Sequence, residues 1–227
     1  MIEIWFCDCS EIHLTNLTPF VQSLPKLIQT ELASKELLTD RILSLTAKLL
    51  IRKAVKDYST DAHLFDFFER NGKGKPFIPW WLPFNIAHSK DIAVLAFSKD
   101  SEIGIDIEVI DPTIDIESLS HLFSSFKQEK MTKYESVNDF IDMWVRNEAV
   151  LKGEGTGITG GINQFDCRGN FAELNNVKWA LKKISIHESY ICYIATKGQY
   201  KEITLREIMA EELFEDAKEC RAMSQLA

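Results

Sequence analysis

Residues 84–109 read FNIAHSKDIAVLAFSKDSEIGIDIEV, and this stretch sets the class of the fold. It contains three short runs rich in isoleucine, valine, alanine and phenylalanine, and polar residues separate each run from the next. Short apolar runs bounded by turn-forming residues are typical of β-strands. The pattern therefore predicts three strands, at 84–88, 92–98 and 103–109.

The residues before this stretch predict one further strand and one long helix. Residues 2–7 (IEIWFC) form an apolar run of strand length, and apolar residues recur at helical spacing from 34 to 58. The positions that set this helical period are Leu37, Leu38, Ile42, Leu45, Leu49 and Val55. We therefore expect a small sheet that packs on a long helix.

The residues after position 109 repeat this order loosely. Helical patterns around 116–123 and 137–152 precede strand-like stretches at 177–186 and 190–196, and residues 205–226 are predicted as an acidic amphipathic helix. Residues 153–161 (GEGTGITGG) contain five glycines, which predicts a loop directly after the second helix. We expect an α+β fold in two similar α/β halves, residues 1–100 and 101–227, joined near 98–102.

Composition argues against several classes of function. The chain of 227 residues has a net charge of −8 and a pI of about 5.2, which argues against a protein that binds nucleic acid backbones. Its five cysteines are scattered and include no CxxC pair, so neither a zinc site nor a disulfide framework is predicted. No segment has the pattern of a signal peptide or the length of a membrane span, so we expect no membrane partner and a cytoplasmic protein.

The strand predicted at 103–109 carries the first candidate site. Its isoleucines point to one face, so Asp106 and Glu108 share the other face, roughly 7 Å apart. Two carboxylates at this spacing can supply oxygen ligands to one hard cation such as Mg²⁺. The same pattern also fits a half-buried strand whose polar face meets solvent.

The helix predicted at 137–152 carries the second candidate site. Trp144, Glu148 and Lys152 are four residues apart and form one stripe of the helix. An aromatic ring, a carboxylate and an amine would therefore line a common wall beside the glycine-rich loop. The alternative is a core tryptophan next to a surface ion pair between Glu148 and Lys152.

A basic stretch, residues 70–75 (RNGKGK), and the strand end at His88 and Ser89 form the third candidate site. Lys73, Lys75 and His88 near exposed backbone amides suit phosphate groups. The alternatives are a solvated turn and a histidine with a structural hydrogen bond.

In order and spacing, these motifs resemble those of the surfactin-type 4′-phosphopantetheinyl transferases. Residues 74–76 (GKP) and 84–89 (FNIAHS) are similar to the GKP and FNxSHS blocks of that family. Residues 104–108 (GIDIE) resemble its GIDxE block, and the stripe on the helix resembles its WxxKExxxK block. Three blocks in the same order are far more specific than any one of them.

The resemblance implies a fold and a reaction. Two α/β halves related by a pseudo-twofold axis would bind coenzyme A in the cleft between them, and the protein would work as a monomer. The implied reaction transfers 4′-phosphopantetheine from coenzyme A to a serine hydroxyl of an apo acyl or peptidyl carrier protein, and it releases adenosine 3′,5′-bisphosphate. The sequence does not indicate which carrier protein is the acceptor.

The resemblance also implies roles for single residues. Asp106, Glu108 and Glu148 would hold Mg²⁺, or Mn²⁺ in its place. Glu148 would act as the base, and Lys152 would stabilise charge near the leaving group. The residues implied to contact coenzyme A are Lys73, Lys75, Pro76, His88, Ser89, Lys152 and Arg41.

Three positions depart from the family pattern. Asn147 replaces the lysine before the glutamate of the third block, and Ala87 replaces the serine before the histidine. Leu43 stands where a cation is usual on the first long helix, and Arg41 is the cation nearby. We expect the 3′-phosphate of coenzyme A to depend on His88, Lys75 and Arg41.

Two other functions could use the same residues. An inactive homologue that only binds carrier proteins would keep the fold and the cleft, but retention of all three carboxylates argues against it. A metal-dependent nucleotide pyrophosphohydrolase would use the same carboxylates with water as the nucleophile. It would need additional His and Asp metal ligands, which the sequence does not offer at a matching spacing.

Overall fold

The computed structural model describes residues 1–14, 16–61, 63–113, 136–155, 167, 169–199 and 202–224. The elements of the first part of the chain are β1 (Ile2–Asp8), α1 (Thr18–Val21), α2 (Lys26–Ala33), α3 (Leu38–Tyr58), β2 (Glu69–Arg70), β3 (Pro76–Phe77), β4 (Phe84–Ser89) and β5 (Ile92–Ser98). The later elements are β6 (Ile103–Val109), α4 (Val137–Glu154), β7 (Phe171–Leu174), β8 (Val177–Lys183), β9 (Tyr190–Lys197), β10 (Ile203–Glu207) and α5 (Ala210–Ser224). The α+β class predicted from the sequence is confirmed.

The first sheet has four strands in the order β10-β1-β5-β4. Strand β5 pairs antiparallel with both β1 and β4, and β10 pairs parallel with β1. Helix α3 packs against this sheet, because Leu45 and Leu49 share one buried apolar cluster with Trp5 and Phe97. The predicted packing of a small sheet on a long helix is confirmed.

The long helix begins later than the sequence pattern predicted. It starts at Leu38, whereas the apolar period begins at residue 34. Residues 26–33 form the separate helix α2, which ends at Ser34, and Leu37 is extended. The predicted start is therefore four residues too early, and sequence analysis did not predict α2.

The second sheet is antiparallel throughout and has the order β6-β9-β8-β7. Helix α4 covers one face of it, where Val145 and Ala149 pack with Trp179 and Ala195. Each half therefore places a long helix on a four-stranded sheet, while the pseudo-twofold relation between the halves stays a prediction. The helical pattern predicted around 116–123 lies outside the described residues.

The two sheets meet through the isoleucine face of β6. Ile103, Ile105 and Ile107 are buried in one cluster with Ile4 and Val94 of the first sheet. The predicted division of β6 into an apolar and a polar face is confirmed. Its polar face does not meet open solvent, because helix α4 packs against β6.

The last part of the chain returns to the first sheet. Residues 203–207 form strand β10, which pairs with β1 in a register that joins Ile2 to Ile203, and α5 begins only at Ala210. The helix predicted for 205–226 is therefore wrong for its first residues, because the open edge of β1 offers backbone partners that a local pattern does not reveal. The division into 1–100 and 101–227 stays a prediction, although β10 and α5 lie with the first sheet. None of the helices in the described ranges is long and apolar enough to cross a membrane.

Candidate active site

Helix α4 approaches strand β6 closely at two glycines. A Cβ atom on Gly104 would lie 2.0 Å from the carbonyl oxygen of Ala149 and 2.2 Å from the backbone nitrogen of Gly153. A Cβ atom on Gly153 would lie 2.6 Å from the ring of Trp179. Both contacts leave no room for a larger residue. The close approach places the polar stripe of α4 over the polar face of β6.

Helix α4 also extends further than predicted. It includes Gly153 and Glu154, and it ends at Gly155, whose φ of 81° is left-handed. The prediction that the glycine-rich loop begins at Gly153 is therefore wrong by two residues, because Gly153 is a helical residue whose missing side chain lets α4 pack against Trp179 and Gly104. The rest of that loop, 156–161, lies outside the described residues.

The three predicted carboxylates lie near one another at this crossing, since the charges of Asp106 and Glu108 both act on Glu148. Asp106 and Glu148 are 4% and 7% exposed, and Glu108 is half-buried. The ammonium of Lys152 donates to Asp106 Oδ1 at 2.6 Å, so the helix and the strand are joined by an ion pair. Lys152 thus pairs across the crossing, and the alternative of a surface Glu148–Lys152 pair does not describe this helix. Of the predicted stripe, Trp144 is half-buried next to the core of the second half.

Burial and mutual repulsion change how these carboxylates titrate. Burial raises the pKa of Glu148 to about 7, with further contributions from the charges of Asp106 and Glu108 against the opposing charge of Lys152. Burial also raises the pKa of Asp106, although Lys152 opposes it. Burial raises the pKa of Glu108 as well, against the hydrogen bond from Ser89. The cluster therefore favours an added positive charge.

A divalent cation fits this donor set. Asp106 Oδ2 and Glu148 Oε1 are buried and have no hydrogen-bond partner among the described residues. Unpaired buried carboxylate oxygens are costly, and hard cations such as Mg²⁺ prefer such ligands. Within the described ranges, no three His, Cys, Asp or Glu side chains already converge on one point. The nearest positive charge to Asp106 is instead the ammonium of Lys152.

The FNIAHS block joins the two halves of the protein. The side chain of Asn85 accepts a hydrogen bond from the backbone nitrogen of Ile105 at 3.0 Å. Ser89 accepts from the backbone nitrogen of Val109 at 3.1 Å and donates to Glu108 Oε2 at 2.7 Å. These two side chains link β4 to β6, and Ser89 also orients a predicted metal ligand. Sequence analysis gave Asn85 no role of its own. An amide side chain within an otherwise apolar strand was the signal that could have revealed this link.

Lys75 links the GKP turn to the carboxyl end of helix α4. Its ammonium donates to the carbonyl oxygen of Gly153 at 2.7 Å and pairs with Glu102 at 3.3 Å. A cation at the carboxyl end of a helix is stabilised by the helix dipole. Lys75 therefore positions α4, in addition to lining the cavity described next.

A cavity of about 340 Å³ lies between the two halves. It brings together five of the predicted contacts with coenzyme A, which are Lys73, Lys75, Pro76, His88 and Lys152. Arg70 of the predicted basic stretch also lines it, together with three charged residues that sequence analysis did not identify, Glu31, Lys35 and Lys48. The described lining thus carries six lysines and arginines against one carboxylate. Such a surface suits a ligand with several negative charges.

His88 lies at the surface of this cavity without a positive charge of its own at neutral pH. Removal of water by the surrounding protein lowers the pKa of its imidazole to about 4, and the charges of Lys152, Lys35 and Lys48 lower it further in the same direction. A neutral ring beside three ammonium groups can gain a proton when an anion enters.

Arg41 and Ser89 are not among the described residues that line the cavity. The guanidinium of Arg41 donates to the backbone carbonyl of Lys35 at 2.7 Å. Leu43 is buried in the core of the first half. Of the other departures from the family pattern, Ala87 is buried between the sheets, and Asn147 donates to the carbonyl oxygen of Met143 within its own helix.

No family model matches the chain, but curated relatives do. The 4′-phosphopantetheinyl transferase gsp of Aneurinibacillus migulanus is 33% identical over 129 residues, which cover 56% of this chain and 54% of the relative. The resemblance to the 4′-phosphopantetheinyl transferases is confirmed. The 4′-phosphopantetheinyl transferase Sfp of Bacillus subtilis is 32% identical over 132 residues, 55% of this chain and 57% of the relative. The 4′-phosphopantetheinyl transferase HetI of Nostoc is 35% identical over 102 residues, 40% of this chain and 42% of the relative. The chain thus spans about half the length of the curated transferases that it matches.

Proposed function

We propose that this protein transfers 4′-phosphopantetheine from coenzyme A to a serine hydroxyl of an apo acyl or peptidyl carrier protein. The reaction depends on Mg²⁺ and releases adenosine 3′,5′-bisphosphate. The observation that carries the proposal is a cationic cavity that meets a buried carboxylate cluster at Lys152. The names of the curated relatives support the same reaction.

The charge of the cavity supports coenzyme A as the donor. Coenzyme A carries a pyrophosphate and a separate phosphate on its ribose, and the described lining has an excess of five positive charges. Lys152 lies at the boundary between the cavity and the carboxylates, so the pyrophosphate belongs at this end. We expect the rest of the nucleotide to contact four residues that line the cavity, Lys73, Lys75, Pro76 and His88. Arg41 and Ser89 are outside the described lining, so the cavity gives no support to their predicted contacts.

The carboxylate cluster supports a metal-dependent reaction. Asp106, Glu108 and Glu148 would hold Mg²⁺, or Mn²⁺, through the oxygens described above. When bound, the ion would neutralise negative charge on the pyrophosphate of coenzyme A. Ser89 keeps one oxygen of Glu108 in place.

The transfer requires a base for the serine proton and a positive charge near the leaving group. The serine oxygen of the carrier forms a bond to the phosphorus that bears pantetheine, and the bond from this phosphorus to the bridging oxygen breaks. Glu148 accepts the proton of the serine hydroxyl. Lys152 stabilises the negative charge that develops on adenosine 3′,5′-bisphosphate as it leaves. No covalent bond to the protein is formed at any point.

Release of adenosine 3′,5′-bisphosphate tests this proposal against its rivals. With coenzyme A and Mg²⁺, we expect release only when an apo carrier protein is present. A nucleotide pyrophosphohydrolase would release it without any carrier. A homologue that only binds carrier proteins would release none while still binding the carrier. The monomeric state and the cytoplasmic location of the protein both remain predictions.

A further inference from the structure

Two cysteines lie side by side at the end of strand β1. Cys7 is the next-to-last residue of the strand, and Cys9 is the first residue after it. Both side chains belong to the buried apolar cluster of the first half, whereas Asp8 between them is exposed. Both are free thiols, and the proposed transfer assigns neither of them a role.

The two thiols are hydrogen-bonded to each other and differ in acidity. This bond raises the pKa of Cys7, and burial raises it further. The same bond lowers the pKa of Cys9, although burial opposes this effect, and a hydrogen bond with Thr46 of α3 adds to the lowering. Cys9 is also 8% exposed, whereas Cys7 is 0% exposed. Cys9 is therefore the thiol that a small oxidant reaches as a thiolate, and Cys7 is the protonated thiol beside it.

A disulfide between these residues needs only a small contraction of the chain. Residues two apart on a strand have Cα atoms about 6.6 Å apart, and a disulfide joins Cα atoms about 4.4–6.8 Å apart. The bond is within reach when the backbone at Cys9 moves towards Cys7. The pairing of β1 with β5 ends at Asp8 and Ile92, so Cys9 lies outside the ladder and this movement leaves the sheet intact.

The movement would instead disturb the turn after β4. Ser89 pairs with Ile92, so Lys90 and Asp91 alone form this turn. The backbone nitrogen of Cys9 donates to the carbonyl oxygen of Asp91 at 2.6 Å. Lys90 has a φ of 49°, in the left-handed region that lysine rarely adopts. The turn therefore depends on bonds from its surroundings, and Cys9 supplies one of them.

The turn begins at Ser89, which reaches into the candidate active site. Ser89 donates to Glu108 Oε2 at 2.7 Å and accepts from the backbone nitrogen of Val109 at 3.1 Å. A shift of Asp91 is passed to Ser89 through Lys90 alone. Loss of a partner that orients a metal ligand commonly reduces activity about 10- to 100-fold. The state of the two thiols can therefore affect the carboxylate cluster.

We propose that Cys7 and Cys9 form a reversible oxidation site, at which hydrogen peroxide produces a disulfide that loosens the turn at Lys90 and Asp91 and lowers the activity of the adjoining site. Sequence analysis predicted no permanent disulfide framework, and the reduced thiols are the resting state. Transient disulfides of this kind occur in proteins whose thiols are otherwise reduced. The loss of activity rests on the proposed function, whereas the disulfide does not.

The oxidation proceeds in two steps. The Cys9 thiolate attacks one oxygen of the peroxide, the O–O bond breaks, and the other oxygen leaves as water after it takes up a proton, so Cys9 becomes a sulfenic acid. The sulfur of Cys7 then bonds to that of Cys9, and the S–O bond breaks to release a second water. The two thiols together lose two electrons and two protons to one peroxide. A dithiol such as dithiothreitol returns them and is itself oxidised to a disulfide.

The mass of one tryptic peptide tests the disulfide directly. Trypsin releases residues 1–26 as one peptide, which contains Cys7 and Cys9 and no other cysteine. After the folded protein is treated with hydrogen peroxide, most of this peptide should lose the mass of two hydrogen atoms and resist alkylation by iodoacetamide, and dithiothreitol should reverse both effects. Cys192→Ala is the matched control, because it removes a buried thiol from another cluster, and it should form the same disulfide.

Two variants distinguish the roles of the two thiols. In Cys7→Ser, oxidation of Cys9 should stop at the sulfenic acid, which dimedone traps. In Cys9→Ser, Cys7 should remain a free thiol, and peroxide should leave the transfer activity unchanged. In the wild-type protein, oxidation should lower transfer about 10-fold, and dithiothreitol should restore it.

Amide hydrogen exchange tests the effect on the turn without any catalytic step. Oxidation should make exchange at the amide of Val109, which donates to Ser89, at least about 10-fold faster. The amide of Ile105, which donates to Asn85, links the same two strands and should be unchanged.

The proposal is overturned if both thiols of the folded wild-type protein are still alkylated after peroxide, or if the disulfide appears only in urea. A disulfide that leaves exchange at Val109 or the rate of transfer unchanged would also overturn it, because the thiols would not be coupled to the site. A protein that forms the disulfide and responds at Val109 but modifies no carrier when reduced would instead contradict the proposed function and leave the oxidation site standing.

Discussion

Asp106 and Glu148 each have a buried carboxylate oxygen without a hydrogen-bond partner in the described part of the chain. Loss of one anionic ligand should weaken charge stabilisation in the transition state by several kcal/mol, so we expect Asp106→Ala and Glu148→Gln each to reduce kcat/KM for transfer at least about 100-fold. Steady-state assays with coenzyme A and an apo carrier protein measure this loss.

Glu173→Gln is a suitable control for these two variants, because Glu173 is an exposed residue on β7 of the same half. It should retain the activity of the wild-type protein. If Asp106→Ala or Glu148→Gln also did so, the residue concerned would not belong to the active site.

His88 should make the binding of coenzyme A depend on pH. Its pKa of about 4 lies below the ordinary value of 6.5, so the ring is neutral in the free protein at pH 6. A bound phosphate favours the protonated ring and raises this pKa. Between about pH 4 and pH 6.5 the complex therefore holds more protons than the free protein, and affinity should increase as pH falls from 7 towards 5.5.

Calorimetry of this binding at pH 6, in two buffers with different ionisation enthalpies, measures the proton uptake directly. We expect a net uptake in the wild-type protein and a smaller one in His88→Ala. An uptake of equal size in both proteins would show that another group titrates.

At the scale of residues, the sequence predicted local spacings well. Asp106 and Glu108 are two apart on one strand, and Glu148 and Lys152 are four apart on one helix, so periodicity alone places each pair on one face. Glu31 and Lys48 were not predicted, because their contacts with each other and with Arg70 join three distant segments of the chain. The lone lysine within an apolar helical stretch was the available signal.

At the scale of elements, the crossing of α4 and β6 depends on the absence of a side chain at Gly104. Gly104→Ala would place a methyl group 2.0 Å from a backbone oxygen of α4. Overpacking against backbone that cannot move aside costs about 3 kcal/mol or more. We therefore expect the Tm to fall by roughly 6–12 °C in a thermal melt.

Gly72→Ala provides the comparison, since a Cβ atom there would meet nothing within 4 Å. Its Tm should change by less than about 2 °C. A Gly104→Ala protein as stable as the wild type would mean that α4 can shift away from β6, and the account of how the carboxylates are positioned would be wrong.

The strands of the first sheet were predicted almost to the residue, whereas β10 was not. Strands β1, β4 and β5 are apolar runs of strand length, so local signals suffice. Residues 203–207 form a strand only because β1 has an edge to pair with, and this partner lies some 200 positions earlier in the chain. Non-local pairing of this kind leaves no periodic signal in the segment itself.

At the scale of the whole molecule, activity should depend on a hard divalent cation. Excess EDTA should abolish transfer, and Mg²⁺ or Mn²⁺ should restore it, because the proposed ligands are all oxygens. Restoration by Zn²⁺ but by neither of these ions would indicate a different metal site.

The two halves and the cavity between them are required together for the proposed transfer, and the mass of an acceptor protein tests that claim most directly. The wild-type protein is incubated with coenzyme A, Mg²⁺ and a panel of apo acyl and peptidyl carrier proteins, and each carrier is weighed intact by mass spectrometry. We expect at least one carrier to gain the mass of one phosphopantetheine group at its serine, and a carrier with alanine in place of that serine to gain none. An unchanged mass for every carrier, with a protein that is folded and binds coenzyme A, would contradict the account.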